Sequence, residues 1–139
     1  MQEKLNKKIL VVEDEAPLRN AISSILNFNG FEVLQATNGK EGFDLAMNDR
    51  PDLILLDHMM PVMDGLTMFE KLRQEPGWAK NVIVIFLTNS TDLAKIASPT
   101  EEALPDFLIK SDWNIEDIVK KIKERLGIVM EVHTDVAQS

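Results

Sequence analysis

Hydrophobic residues in this chain form short continuous runs, separated by segments in which they recur at helical spacing. Five runs predict β-strands: residues 9–12 (ILVV), 31–36 (FEVLQA), 53–56 (LILL), 82–87 (VIVIFL) and 107–109 (FLI). The first, third and fourth are continuous and rich in β-branched residues, which is typical of central parallel strands covered on both faces. The second and fifth are weaker and predict outer strands.

The segments between these runs predict helices. Residues 18–26 carry an apolar stripe at helical spacing, with Pro17 suited to a first turn and Gly30 just past the end. Further helices are predicted at residues 39–48, 65–74 and 115–126, the last with Asn114 as N-cap and Gly127 as its stop. This alternation predicts an α/β fold, in which right-handed crossovers give a doubly wound parallel sheet.

The segment after the fourth strand has an unusual pattern. Residues 91–97 make only a short helix, and Pro99 would break a longer one. Residues 98–101 (SPTE) match a Ser-x-x-Glu capping box with proline at the first helical position, which indicates a fresh helix start. We therefore predict that the fourth helix is kinked or split near Ser98.

Composition and charge exclude several classes of protein. The chain of 139 residues has no cysteine, which excludes disulfides and thiolate metal sites. No apolar run approaches the ~20 residues that span a bilayer, and the first is too short for a signal peptide. The formal net charge of −8 disfavours direct binding of nucleic acid and suits binding of a divalent cation. These features fit a cytoplasmic protein without membrane contact.

Polar side chains follow the predicted strands where each strand ends. Glu13 and Asp14 follow the first strand, Asp57 the third, Thr88 the fourth and Lys110 the fifth. In doubly wound sheets, ligands bind outside the carboxyl ends of the strands. The sequence therefore predicts two or three carboxylates, a hydroxyl and an ammonium at one rim of the sheet.

These groups together suit phosphoryl transfer. Clustered carboxylates repel one another, and a hard cation such as Mg²⁺ relieves that repulsion through oxygen ligands. With the cation bound, a phosphoryl group can approach Asp57, because carboxylates act as nucleophiles that form aspartyl-phosphates. Lys110 and Thr88 can supply the charge stabilisation that this transfer needs. Each residue alone is more often a turn, a cap or a solvated charge, so the argument depends on their convergence.

Four segments resemble the receiver domain of two-component response regulators: residues 7–15 (KKILVVEDE), 51–65 (PDLILLDHMMPVMDG), 82–90 (VIVIFLTNS) and 106–112 (DFLIKSD). The resemblance implies a flavodoxin-like (βα)5 three-layer sandwich with strand order 2-1-3-4-5. It covers roughly residues 7–126, which leaves residues 1–6 as an N-terminal extension and 127–139 as a C-terminal tail. Because that tail is too short for an output domain, a single-domain regulator is expected.

The resemblance also implies roles for the rim residues. Asp57 is the expected phosphoacceptor, and Lys110 is expected to pair with it at rest and later to hold a phosphoryl oxygen. The expected ligands of Mg²⁺, or of Mn²⁺ in its place, are Glu13, Asp14, Asp57 and the main-chain carbonyl of Met59.

Two switch residues and a set of partners follow from the same resemblance. Thr88 is expected to move toward the phosphoryl group, and Phe107 to turn inward behind it. The expected donor is a sensor histidine kinase or a histidine phosphotransfer protein. Output is expected through a downstream protein target, through a phosphorylation-dependent homodimer or as a shuttle in a phosphorelay. Such a protein is not a classical enzyme, because it catalyses only its own phosphorylation and dephosphorylation.

Two residues near the rim raise separate expectations. Ser111 follows Lys110 where the family usually has a proline, often with a cis peptide bond. A cis bond before a residue other than proline costs about 2.5–4 kcal/mol, so this turn is expected to be trans and rebuilt, or held by its surroundings. His58, next to Asp57, is expected to be an exposed loop histidine rather than a ligand.

Three other functions compete with the phosphoacceptor switch. A phosphatase with an aspartate nucleophile usually needs a second aspartate two residues later, where this chain has Met59. A flavin-binding module needs a Ser-, Thr- and Gly-rich loop after the first strand, whereas residues 13–15 (EDE) would repel a phosphate. A phosphorylation-independent pseudo-receiver that only binds partners would be expected to lack Asp57, Asp14 or Lys110.

Overall fold

A five-stranded parallel sheet forms the centre of the molecule. A computed structural model describes residues 5–88, 106–110 and 114–128 of the chain. The strands are β1 (Lys8–Val12), β2 (Glu32–Ala36), β3 (Leu53–Asp57), β4 (Ile83–Thr88) and β5 (Asp106–Ile109). All neighbouring strands pair in parallel, in the order β2-β1-β3-β4-β5. The predicted fold class and strand order are therefore confirmed.

Helices connect the strands and cover both faces of the sheet. The described residues form α1 (Ala16–Phe28), α2 (Gly39–Asp49), α3 (Gly65–Gln74), α4 (Trp78–Asn81) and α5 (Ile115–Leu126). Sequence patterns miss α4, because its 4 residues are too few to show a helical period. The predicted split helix near Ser98 lies outside the described residues. None of the described helices is long and apolar enough to cross a membrane.

The predicted ends of the last helix are confirmed. Asn114 accepts a hydrogen bond from the Asp117 amide, and the Asp117 carboxylate accepts one from the Asn114 amide, so the two form a capping box. Gly127 ends α5 with φ of 72°, a left-handed conformation that glycine adopts without a Cβ penalty. Both caps favour a helix that starts and stops where the sequence pattern predicts.

Alternate side chains of the central strands enter two separate cores. One set packs with α2 and α3 and includes Leu10, Ile54, Leu56, Val84 and Phe86. The other set packs with α1 and α5 and includes Ile9, Val11, Leu53, Leu55 and Ile85. This follows from the two-residue period of a strand, which turns successive side chains to opposite faces. Burial of each large side chain contributes about 1.5–3 kcal/mol, so β1, β3 and β4 hold their carboxyl ends rigidly.

Candidate functional site

The predicted rim residues meet where the strands end. Asp57 is the last residue of β3, and Glu13 directly follows β1. Lys110 directly follows β5, and its amide donates a hydrogen bond to the main-chain carbonyl of Thr88, the last residue of β4, at 2.7 Å. Thr88 is buried, with an exposed fraction of 2%. Parallel pairing thus brings these four residues to one edge of the sheet.

Three carboxylates converge at this edge. One oxygen from each of Glu13, Asp14 and Asp57 lies within 4.8 Å of the others. Glu13 is fully buried, and only 3% of Asp57 is exposed. Like charges at this separation, with little water around them, repel strongly. The cluster therefore needs a positive charge, a proton or a metal ion.

The Lys110 ammonium supplies part of that charge. Its Nζ lies 3.0 Å from Asp57 Oδ1 and 3.8 Å from Glu13 Oε1. Burial by itself lowers the pKa of Lys110, but the hydrogen bond and the charge of Asp57 outweigh it and raise that pKa above its ordinary value. Lys110 therefore stays protonated at neutral pH, and one ammonium faces three carboxyl groups.

Burial and the remaining excess of negative charge shift the pKa values of two carboxyl groups, those of Glu13 and Asp57. Burial, together with the charge of Asp57, raises the pKa of Glu13 to about 8. Burial also raises the pKa of Asp57, although its hydrogen bond to Lys110 opposes the rise. Without a metal ion, the pocket is therefore expected to retain a proton on Glu13 at neutral pH. A bound divalent cation would displace that proton.

The oxygen atoms of the cluster fit a hard divalent cation. Glu13 Oε2 accepts a hydrogen bond from the Glu15 amide at 3.1 Å. Glu13 Oε1 is buried and accepts no hydrogen bond from the part of the chain that the structure describes. Buried oxygens that accept no hydrogen bond are rare in proteins, and carboxylate oxygens are the preferred ligands of Mg²⁺ and Mn²⁺. Met59 lies two residues after Asp57, and the contribution of its carbonyl to such a site stays a prediction.

The segment that follows Asp57 packs tightly against the strand end. The Gly65 amide donates a hydrogen bond to the His58 carbonyl at 2.8 Å. A Cβ atom at position 65 would clash with the main-chain carbonyl oxygen of Asp57. Only glycine allows α3 to start so close to Asp57, so Gly65 helps to hold the carboxylate in place.

A strained turn lies within this segment. Val62 has φ of 70°, a conformation that is rare for a β-branched residue. The Met63 amide donates a hydrogen bond to the Pro61 carbonyl at 2.7 Å, which closes a tight three-residue turn around Val62. The Met63 carbonyl accepts a hydrogen bond from the Gly39 amide at 2.9 Å, so the turn is fixed to the start of α2. Backbone strain of this kind persists only where the surrounding structure imposes it.

The prediction of an exposed His58 is wrong. Its exposed fraction is 5%, and its Nδ1 has no hydrogen-bond partner in the described part of the chain. The His58 amide donates a hydrogen bond to the Leu87 carbonyl at 3.2 Å, which extends the contact with β4 by one residue. The returning chain at Gly65 then covers that position, which a sequence pattern cannot show.

Two other predictions rest on residues that the structure does not fully describe. The main chain of Phe107 lies in β5, opposite Phe86 of β4. The Phe107 side chain lies outside the described part, so its inward turn stays a prediction. Ser111 and the peptide bond after Lys110 also lie outside it.

Arg19 contacts the main chain of a site residue, and the sequence patterns miss it. Its Nη1 donates a hydrogen bond to the main-chain carbonyl of Glu13 at 2.9 Å, and its Nε donates one to Gln35 Oε1 at 3.1 Å. One signal was present in the sequence, because Arg19 lies near the start of α1. The helix dipole disfavours a positive charge there, so an arginine at that position calls for a separate explanation.

Comparisons with known proteins agree with this geometry. The family model described as the response regulator receiver domain matches residues 9–123. Sporulation initiation phosphotransferase F of Bacillus subtilis is 34% identical over 119 residues, which cover 84% of this chain and 94% of that protein. Transcriptional regulatory protein SrrA of Staphylococcus aureus is 31% identical over 88% of this chain. The match covers only 48% of SrrA, so the chain spans about half the length of that relative.

Solved structures give the same result. Chemotaxis protein CheY4 of Vibrio cholerae superposes with a TM-score of 0.75 and 29% identity, over 85% of this chain and 97% of CheY4. Response regulator TrrA of Thermotoga maritima, solved in complex with Mg²⁺-BeF, superposes with a TM-score of 0.73 and 29% identity, over 85% of this chain and 97% of TrrA. Together with the acidic rim, these matches show that the chain belongs to the family of response regulator receiver domains.

Proposed function

We propose that Asp57 accepts a phosphoryl group from a phosphohistidine on a partner protein, in a reaction that depends on Mg²⁺. Receiver domains are phosphoacceptor switches of two-component signalling rather than classical enzymes. The position of Asp57 carries the proposal: its carboxylate is buried at the end of a rigid strand, 3.0 Å from Lys110 Nζ and within 4.8 Å of two further carboxylates.

Four groups at the rim are the proposed ligands of the metal ion. Glu13, Asp14, Asp57 and the main-chain carbonyl of Met59 would hold Mg²⁺, which when bound offsets the negative charge of the carboxylates and of the incoming phosphoryl group. The complex of the similar TrrA with Mg²⁺-BeF supports binding of Mg²⁺. Glu13 must give up its proton to take part, because a metal ion binds the ionised carboxylate.

Asp57 acts as the nucleophile. One of its carboxylate oxygens attacks the phosphorus atom while the phosphorus–nitrogen bond of the phosphohistidine breaks, and the electron pair of that bond returns to the imidazole. The strand holds the carboxylate in place, so little orientational freedom is lost in the transition state. Lys110, which contacts Asp57 at rest, then pairs with a phosphoryl oxygen, because the new group carries more negative charge than the carboxylate did.

The proposal also includes a conformational change after phosphorylation and the proteins that donate the phosphoryl group and receive the signal. The Thr88 hydroxyl donates a hydrogen bond to the phosphoryl group, and Phe107 moves inward behind it, which passes the change to the protein surface. A sensor histidine kinase or a histidine phosphotransfer protein in the cytoplasm donates the phosphoryl group, and a downstream protein or a second copy of the chain receives the signal. The likeness to Sporulation initiation phosphotransferase F over 94% of that protein supports a role in phosphoryl transfer.

Intact-mass spectrometry tests the phosphoacceptor directly. The protein is incubated with phosphoramidate, with and without Mg²⁺, as wild type, as Asp57→Asn and as Asp44→Asn. Asp44 is an exposed aspartate of α2 that pairs with Lys40, so its variant controls for the loss of one carboxylate. We expect one phosphoryl adduct that requires Mg²⁺, is cleaved by hydroxylamine and is absent only from Asp57→Asn.

Two results would contradict the proposal. An adduct that persists in Asp57→Asn would place the acceptor elsewhere. The absence of an adduct with any phosphodonor, small molecule or phosphohistidine protein, would favour a pseudo-receiver that binds its partners without phosphorylation.

A further inference from the structure

Arg19 makes contacts that an ordinary surface arginine does not make. It is half-buried near the start of α1, and its two short hydrogen bonds go to neutral oxygens: the main-chain carbonyl of Glu13 at 2.9 Å and Gln35 Oε1 at 3.1 Å. The helix dipole disfavours a positive charge near a helix start, whereas the Glu41 carboxylate attracts it. The hydrogen bonds of Arg19, in contrast, go to uncharged groups, so they fix the position of the chain rather than neutralise a charge.

Within the described part of the chain, the hydrogen bond from Arg19 is one of three that hold Glu13 in place. The Glu13 amide donates a hydrogen bond to the Ala36 carbonyl of β2 at 3.0 Å, and Glu13 Oε2 accepts one from the Glu15 amide at 3.1 Å. The Glu13 carbonyl lies beyond the last paired residue of β1, where its hydrogen-bond donor is Arg19. Glu13 is thus held through its amide, its carbonyl and one carboxylate oxygen, which leaves Oε1 directed to the cluster.

We infer that Arg19 is a positioning residue for the acidic site. By fixing the main chain at Glu13, it places the carboxylates of Glu13 and of the adjoining Asp14 for a divalent cation before that cation binds. Preorganised ligands lose little conformational freedom on binding, and partners that orient metal ligands typically change metal affinity by about 10–100-fold. This inference rests on the proposed function, because it concerns the same site.

The direction in which Mg²⁺ affinity changes distinguishes a positioning role of Arg19 from a purely electrostatic one. The guanidinium and the cation repel each other, so removing the guanidinium charge would by itself strengthen Mg²⁺ binding. Loss of the anchor, in contrast, frees the Glu13 main chain and weakens Mg²⁺ binding. Arg19→Met keeps much of the apolar stem and removes both the charge and the donors, so the two effects oppose each other in one variant.

The experiment measures Mg²⁺ affinity by isothermal titration calorimetry. We expect Arg19→Met to bind Mg²⁺ about tenfold more weakly than wild type. Arg19→Lys, which keeps the positive charge and an ammonium group that can donate to the Glu13 carbonyl, should recover part of that loss. Gln35→Met removes only the acceptor of Arg19 Nε and should cause a smaller loss. Lys80→Met removes an exposed positive charge on α4 and serves as the charge-matched control, with unchanged affinity.

Amide hydrogen exchange gives a second readout that needs no metal. The Glu15 amide donates to Glu13 Oε2, so its exchange reports how firmly Glu13 is held. In the metal-free protein, we expect this exchange to be about tenfold faster in Arg19→Met than in wild type, and unchanged in Lys80→Met. A role of Arg19 in overall stability alone would instead change the melting temperature without a selective effect at Glu15.

The two readouts separate failure of the inference from failure of the proposed function. Mg²⁺ binding by Arg19→Met that equals or exceeds that of wild type overturns the inference and leaves the proposed function intact. If wild type binds no Mg²⁺, the proposed function fails, and exchange at Glu15 decides the inference, with an unchanged rate overturning it. If Arg19→Met does not fold, Gln35→Met takes its place in both measurements.

Discussion

Magnesium binding to this site should release a proton and should therefore strengthen steeply with pH. Burial raises the pKa of Glu13 to about 8, whereas a metal ligand must be ionised. Glu13 is then ionised in about a tenth of the molecules at pH 7 and in about a hundredth at pH 6. The apparent Mg²⁺ affinity should rise about tenfold per pH unit between pH 6 and 8 and level off above that range. The pKa of Asp57 is also raised, which likewise makes Mg²⁺ affinity increase with pH.

The same pKa sets the pH dependence of metal-free stability. The folded state favours protonated Glu13, since its pKa there is about 8 against an ordinary value of 4.5. The resulting stabilisation is complete below about pH 4.5 and is lost as the pH rises through about 8. At about 1.4 kcal/mol per pH unit, its upper bound is on the order of 5 kcal/mol. Mg²⁺ should therefore raise the melting temperature more at pH 8 than at pH 6.

Isothermal titration calorimetry at pH 6, 7 and 8 provides the assay. Titrations in two buffers of different ionisation enthalpy give the number of protons released, which should be about 0.9 per Mg²⁺ at pH 7. Glu13→Gln cannot ionise at this position, so most of the pH dependence and most of the proton release should disappear. Glu70→Gln, at an exposed glutamate of α3, should behave as wild type. A Mg²⁺ affinity that stays constant from pH 6 to 8, without proton release, would refute the reasoning.

Three further predictions concern stability, measured by urea unfolding without metal. Asp57→Asn should raise the free energy of unfolding by about 1 kcal/mol at about pH 9, where Glu13 is ionised, because it removes a buried charge next to Glu13; a lower value would argue against repulsion in the cluster. Gly65→Ala should lower it by about 2 kcal/mol, since the new Cβ meets the Asp57 carbonyl, and an unchanged value would contradict that packing. Val62→Asn should raise it by about 1 kcal/mol by relieving strain at positive φ, whereas Val62→Thr, still β-branched, should give no gain.

Most of the framework could be predicted from the sequence. The run LILL before Asp57 predicts a central strand, and the structure places β3 there with every residue buried. The predicted helix at residues 65–74 coincides with α3, and Asn114 caps α5 as expected. These features depend on local rules: the period of apolar positions, cap chemistry and the tendency of parallel strands to align their carboxyl ends.

The sequence by itself therefore determined the fold and the set of residues at the rim, whereas the tertiary structure decided how those residues behave. Burial of His58 and the raised pKa of Glu13 depend on residues of other strands and helices. The hydrogen bond from Arg19 to the Glu13 carbonyl spans only six residues, but it depends on how the turn between β1 and α1 folds. Periodicity shows which face of an element is buried, because that is a local property of the backbone. The charge, solvent exposure and hydrogen bonds of one atom depend on every neighbour that folding brings to it, and no local pattern contains that information.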